Sequence, residues 1–522
     1  MTPEQPQPIR KKLGKFKKLL FIAILVVGGL FVAEQGFTRL PASLFGGRVL
    51  NTVSTTHFDT HMPTPPLAAS TVTADGTRVF DLTLQTGKTA FYSGTPTDTW
   101  GVNGSYLGPT LRAAQGEKVQ VHVKNTLPEA TSIHWHGMHL PAVMDGGPHQ
   151  PIAPNSTWSP TWTINQPAAT LWYHPHPHGE TETHTYKGIA GMFIIDDPAQ
   201  TPADLPHTYG VDDLPVIVQD KKFDADHQMI GGKGDDDGPT GILGDTILVN
   251  GARTPYVEAT TRLVRLRLLN ASTARIYNFG FSDNRHMQLI ASDSGLLEHP
   301  VDTSRVQLSP GERAEVVVEV TPGETVNLQS FPYDFHGPTP LINAARVGAN
   351  DTLSILQIKA ASTLAPSATL PSQLAAIPRL KESDAVKTRT FELSSDNGIN
   401  SKSMDMNRID FSVTQDTTEI WEIHNEDAMP HSFHIHDVHF QIASINGSAP
   451  PAALAGWKDT ILIMPDQTER LIMKFSDYSD PSHPYMYHCH FLLHEDNGMM
   501  GQFVVVKPGQ TANVPHDMSH MQ

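Results

Sequence analysis

Apolar and polar residues alternate in short runs along most of this chain, and Gly, Pro and Asn separate the runs. Val119, Val121 and Val123 alternate with polar residues and run into Asn125. Val264, Leu266 and Leu268 alternate with Arg265 and Arg267 and are followed by Asn270; Trp421 and Ile423 lead in the same way to Asn425. A period of two places every apolar side chain on one face of an extended strand. The asparagines recur at intervals of 145 (270 minus 125) and 155 (425 minus 270) residues. A second phrase keeps a similar period: Pro154-Asn155-Ser156, Pro310-Gly311-Glu312 and Pro465-Asp466-Gln467, each ahead of another strand-like run. Repeats of this size are whole β-sandwich domains rather than solenoid units. The pattern therefore predicts an all-β chain of three consecutive Greek-key sandwich or barrel domains, at about 68–197, 210–358 and 385–508. Polar residues 34–67 and the Ala-, Ser-, Pro- and Leu-rich stretch 361–384 read as linkers, and 509–522 as a tail.

The pattern breaks at the N-terminus, where Leu19 to Ala33 is an apolar run of 15 residues. At ~1.5 Å per residue a helix of this length spans ~22 Å, short of the ~30 Å of a bilayer core. Residues 1–18 carry Arg10, Lys11, Lys12, Lys15, Lys17 and Lys18 against Glu4, a net of +5. A basic segment before a short apolar run is the form of a secretory signal or of an uncleaved membrane anchor. Phe31 and Ala33 make a poor cleavage site, and no twin-arginine pair precedes the run. Either form exports the body, to the periplasm or another extracytoplasmic space. The formal charge of −17 leaves about −22 (−17 minus 5) on the rest of the 522 residues, which excludes nucleic acid as a partner. Hydrophobic content of 39% suits a soluble body, and a lone cysteine rules out an intramolecular disulfide. Neither pattern nor composition sets an oligomeric state.

That cysteine carries the chemistry. Cys489 lies between His488 and His490, with His494 five and Met499 ten residues further on. Thiolate, two imidazoles and an axial thioether form a blue-copper electron-transfer site. In extended backbone His488 and His490 point away from Cys489, so one tripeptide can serve two metal centres. The 27 histidines include three other clusters: His134-Trp135-His136, His174-Pro175-His176, and His431-Ser432-Phe433-His434-Ile435-His436. Each His-x-His pair sets two imidazoles on one face of a strand. Four such pairs give eight imidazoles; His431, Cys489, His494 and Met499 remain for the blue site. Eight plus four is a ligand set for four copper ions.

Over roughly residues 68–508 the chain resembles the multicopper oxidases, the three-domain cupredoxin enzymes that include laccases and bacterial cuprous oxidases. The resemblance implies a type 1 copper on His431, Cys489 and His494 with Met499 axial, and a type 2 copper on His134 and His434. It implies a type 3 pair on His136, His174, His176, His436, His488 and His490. Single electrons from a donor would collect at these coppers and reduce O2 to water. Ser432 stands where the family has proline after the type 1 histidine, and Asp437 where it has glycine. Asp145 and Glu495 match carboxylates implicated in proton delivery; as plain sequence they read as a turn former and as a carboxylate that orients a histidine. His139, His178 and His184 read as neighbours of the ligands or as exposed residues.

The donor is less legible. Asp427 and Met429 precede His431 by four and two residues, as in cuprous oxidases, where such residues bind Cu(I). Residues 351–400, however, contain no methionine, so the methionine-rich insert of those enzymes is missing. A laccase-like oxidase of phenols and other aromatic donors is the first expectation, and a cuprous oxidase serving copper tolerance is the second. A copper nitrite reductase would need far fewer histidines, and a zinc or hydrolytic role would not place cysteine between two of them. A copper-binding protein without turnover is the remaining alternative.

Overall fold

The computed structural model describes residues 49–231, 239–335, 344–396 and 398–513. The basic segment, the apolar run 19–33 and tail residues 514–522 lie outside the described residues. Among the described residues no helix is long and apolar enough to cross a membrane.

Six sheets pair into three consecutive sandwiches. In each, the strand that carries the repeated alternation lies parallel to a long earlier strand. Lys118–Asn125 pairs with Arg78–Thr89, Leu263–Asn270 with Asp213–Phe223, and Thr417–Asn425 with Ala385–Ser394. The middle copy departs from the half-buried expectation, because all eight of its residues are buried. Its polar positions Arg265 and Arg267 are neutralised by Asp213 and Glu315, with Arg267 Nε 2.6 Å from Asp213 Oδ1.

The recurring asparagines close the turn that follows each strand. Asn125 Nδ2 donates to the carbonyls of Glu129 (2.9 Å) and Ile152 (2.8 Å). Asn270 Nδ2 donates to those of Arg275 (2.7 Å) and Leu308 (2.9 Å), and Asn425 Nδ2 to those of Met429 (2.8 Å) and Ile463 (3.0 Å). The second phrase completes the device. Asn155, Gly311 and Asp466 all have positive φ, and each donates its N–H to the carbonyl of its domain's asparagine, at 2.7, 3.0 and 3.0 Å. A short polar side chain or none tolerates that backbone region, so the two phrases recur together.

The expected linkers are partly packed. Leu50 and Met62, before the first sandwich, are buried in the core of the second, as is Leu374 within 361–384. Residues 51 and 61 bridge to Thr352 and Tyr256 of that sandwich, and its strand Leu353–Ala365 runs past the expected edge at 358. Burial of these apolar residues anchors both stretches.

Strand pairing then brings the chemistry together. His134 lies opposite His174 in the first sandwich. In the third, His434 lies opposite His488 and Phe433 opposite Cys489.

Candidate metal centre

Two buried groups of side chains form. In the first, Cys489 Sγ lies 3.5 Å from Nδ1 of His431 and 3.6 Å from Nδ1 of His494, and the two nitrogens are 3.2 Å apart. His494 stands on the short helix Leu492–Asp496 that follows Cys489. Met499 is buried beside them: its N–H donates to the carbonyl of His494 at 2.9 Å, and its carbonyl accepts from the Cys489 N–H at 3.0 Å.

The second group joins sandwiches one and three. Its inward nitrogens sit within reach of one another: Nε2 of His134 and His434 at 3.5 Å, of His176 and His488 at 3.2 Å, and of His436 and His488 at 3.3 Å. His136, His174 and His490 form a further cluster, and Nε2 of His174 and both ring nitrogens of His490 have no hydrogen-bond partner. Except in His490, the outward nitrogens are held. His134 Nδ1 donates to the carbonyl of Asp145 (3.0 Å), His434 Nδ1 to that of Asp459 (2.8 Å) and His174 Nδ1 to that of Pro175 (2.8 Å). His436 Nδ1 donates to Asp145 Oδ2 (2.7 Å) and His136 Nε2 to Asp459 Oδ1 (3.0 Å). Glu495 spans two rings, 3.3 Å from His176 Nδ1 and 3.2 Å from His488 Nδ1.

This arrangement fits metal. An imidazole that donates outward has only a lone pair to turn inward, and lone pairs facing each other at 3.2–3.5 Å are resolved by a shared cation. Burial keeps the rings neutral: His136, His174, His434 and His436 are pushed well below the usual imidazole range, and His176, His490 and His494 to about 3. Burial also pushes the Cys489 thiol up to about 12, so thiolate forms only against a cation. Burial opposes ionisation of Glu495, yet His176 and His488 hold its carboxyl well below the usual range.

The family models for multicopper oxidase match residues 83–200, 221–328 and 375–509. The chain is 38% identical over 456 residues to the cell division protein FtsP of Yersinia pestis, covering 85% of this chain and 92% of that protein. It belongs to the multicopper oxidase family. It is also 37% identical to the multicopper oxidase mco of Staphylococcus haemolyticus, over 84% of this chain and 91% of that one. Among solved structures, a laccase from Pediococcus acidilactici Pa5930 superimposes with a TM-score of 0.79 at 34% identity, over 90% of this chain and 97% of that one. The sandwiches are thus cupredoxin-like domains. For a multicopper oxidase, membership implies copper at these groups, and O2 with a metal or organic donor as substrates.

Other residues of this family member fall into place around them. Asp427 Oδ2 accepts from His431 Nε2 at 3.2 Å and from the Ser395 N–H at 2.6 Å; Met429 packs partly buried on the third core. Asp437, at the family's glycine position, has φ +73. Ser432, at the proline position, bonds Ser309 Oγ (2.8 Å) and the Pro310 carbonyl (2.9 Å) of the middle domain. His139 lies between Asp437 and Asp477; although burial lowers it, the two carboxylates raise it to about 10. His184 is held by Thr131 and Glu129, and His178 is exposed.

Sequence reasoning passed over Asp459, Arg313 and Gly311. Arg313 binds Asp459 through both nitrogens, Nη1 at 2.7 Å and Nη2 at 2.6 Å, and Asp459 holds His136. A Cβ on Gly311 would fit only tightly, 3.0 Å from His490 Cδ2 and 3.2 Å from His136 Cε1. The middle domain thus supports the cluster without supplying a ligand to it. The repeated phrase at 310–312 was the available signal for Gly311.

Proposed function

We propose that this chain is a four-copper oxidase that couples one-electron oxidation of donors to the four-electron reduction of O2 to water. One observation carries this reading: every histidine of the four His-x-His pairs, with His431, Cys489 and His494, falls in a buried cluster of metal-binding geometry. His431, Cys489, His494 and Met499 would hold a type 1 copper, and His134 and His434 the type 2. His136, His174 and His490 would hold one type 3 ion, and His176, His436 and His488 the other. Copper would supply an acceptor of single electrons at the first site and three further one-electron centres at the second, four electrons together for each O2.

The chain's own residues do the rest. His488, Cys489 and His490 form a covalent path between the two groups. Carbonyls and carboxylates orient every ring but that of His490, so those inward lone pairs are fixed before metal arrives. Glu495 and Asp145 touch rings of the second group and are the proposed carriers of the protons that water formation consumes. Burial of all these ligands excludes bulk water. The basic segment and apolar run 19–33 support export, with the body on the outer face.

Phenols and other aromatic compounds are the donors proposed first, supported by the likeness to a laccase and the missing methionine-rich insert. A specific observation favours Cu(I) as a second reading. Asp427, 22% exposed, bonds the outer nitrogen of His431, with the thioether of Met429 two residues away. The outer nitrogen of His494 is instead covered, donating to the Pro239 carbonyl at 2.8 Å. Copper binding without turnover is the third reading, and the likeness to the cell division protein FtsP adds cell division as a setting.

Oxygen uptake by the copper-loaded protein, with a phenol and separately with Cu(I), tests all three. A blue absorption band with phenol-driven uptake supports the laccase-like reading, and uptake with Cu(I) alone the cuprous one. A blue protein that consumes no oxygen with any donor eliminates both.

A further inference from the structure

Between the second and third domains lies a cavity of about 350 Å3, apart from the copper-ligand groups. Leu289, Val306 and Leu308 wall it from one side, and Leu454, Ile461 and Met464 from the other. Glu469 lies in this lining and is fully buried. Its Oε1 accepts from Gln467 Nε2 at 2.8 Å, but its Oε2 has no partner. A buried carboxyl oxygen without a donor is costly, and a natural protein rarely leaves one unexplained.

The surrounding charges sharpen the deficit. Lys458 Nζ is committed to Asp293 Oδ2 (2.8 Å) and Glu312 Oε1 (3.0 Å), and Arg313 to Asp459. Four buried carboxylates, Asp293, Glu312, Asp459 and Glu469, therefore share two cations. A third cation, Arg305, lines the cavity but turns to the Ser304 carbonyl, Asn284 Oδ1 and the Phe331 ring rather than to these carboxylates. Burial and the nearby Glu312 accordingly push Glu469 up to about 8. A bare metal ion is a poor occupant, because no metal-binding cluster among the described residues includes Glu469, and the cationic Arg305, Arg313 and Lys458 share the lining with the apolar residues. The volume is at the low end of the roughly 300–1,000 Å3 of small-molecule sites, which combine apolar walls with a few polar groups.

We infer that this cavity binds a small organic cation, an alkyl- or arylammonium whose ammonium donates to Glu469 Oε2 while its hydrocarbon fills the apolar walls. The site is separate from donor oxidation, and its test does not depend on turnover. Calorimetric titration of the copper-loaded full chain with 2-phenylethylammonium chloride, and with uncharged 2-phenylethanol, reads it directly. One saturable site that favours the cation at least tenfold is expected. Glu469→Gln, nearly isosteric, is expected to remove that preference while oxygen uptake persists. Ala453→Phe at the rim fills the cavity and is expected to weaken the cation independently of the carboxyl. No saturable binding of the cation overturns the inference. So does equal affinity of wild type and Glu469→Gln for it, or an alcohol that binds as tightly as the cation.

Discussion

Replacing Gly311 by alanine adds one methyl group where the middle domain meets the proposed trinuclear ligands. Two costs arise. Gly311 has φ +88, a region that costs a residue with a Cβ roughly 1–2 kcal/mol. The new carbon would also lie 3.0–3.2 Å from His490 and His136, closer than most packed carbons, so the rings must give way, and overpacking adds about 1–3 kcal/mol. The sum is about 2–5 kcal/mol. Gly323 supplies the control, because its φ is +76 and nothing lies within 4 Å of its Cβ position. Gly323→Ala bears the backbone cost alone. Thermal unfolding of the two copper-free variants should show the larger loss for Gly311→Ala. After copper loading, Gly311→Ala should keep the blue band and show altered electron paramagnetic resonance of the second group. Displacing His490 and His136 by a few tenths of an ångström should slow oxygen uptake about tenfold, since misplacement by 1 Å costs about 10²-fold. Equal destabilisation by the two substitutions, or an unchanged resonance spectrum in Gly311→Ala, would refute the packing argument.

Other outcomes follow from buried charges. Asp459→Asn leaves buried Arg313 only the more distant Asp293 (3.8 Å) and His136 only the Thr460 hydroxyl (3.0 Å), so a loss of about 3 kcal/mol is expected together with depleted second-group copper, read by denaturation and metal analysis. Glu469 is held protonated to about 8 when folded but ionises from 4.5 when unfolded, so its contribution to stability is full below 4.5 and is lost as pH rises to 8. The loss is at most about 5 kcal/mol (3.5 units at 1.36 each), and Glu469→Gln should flatten that slope in unfolding series across the window. Because burial raises the Cys489 thiol to about 12, copper loading at pH 7.5 should release about one more proton from wild type than from Cys489→Ser, measured in weak buffer. Identical release would mean that the thiolate exists before metal binds.

Local chemistry was legible in the sequence, and chemistry assembled across domains was not. His134 and His136, or Cys489 and His494, carry their geometry in their spacing, because a strand or one helical turn fixes it. Asn125, Asn270 and Asn425 announced a repeat, although their task of closing a turn emerged only with the hydrogen bonds. Arg313 and Asp459 stand 146 residues apart and form one device only when two domains meet. Leu50, Met62 and Leu374 lie in stretches broken by Pro, Ser and Thr, without the periodicity that marks a core position. Glu469 reads as one more polar residue of an alternating strand until the neighbouring domain encloses it.

The burial of the proposed ligands has a consequence in time. His134 leaves the ribosome 300 residues before His434, so no second group exists until the third domain has been made and docked. Its rings then have essentially no exposed surface. Ions therefore enter and leave only when the domains part or a loop opens, and the frequency of such openings sets the exchange rate. Once loaded, such a protein would resist a strong chelator for as long as it stays folded, giving up copper on the timescale of its own opening.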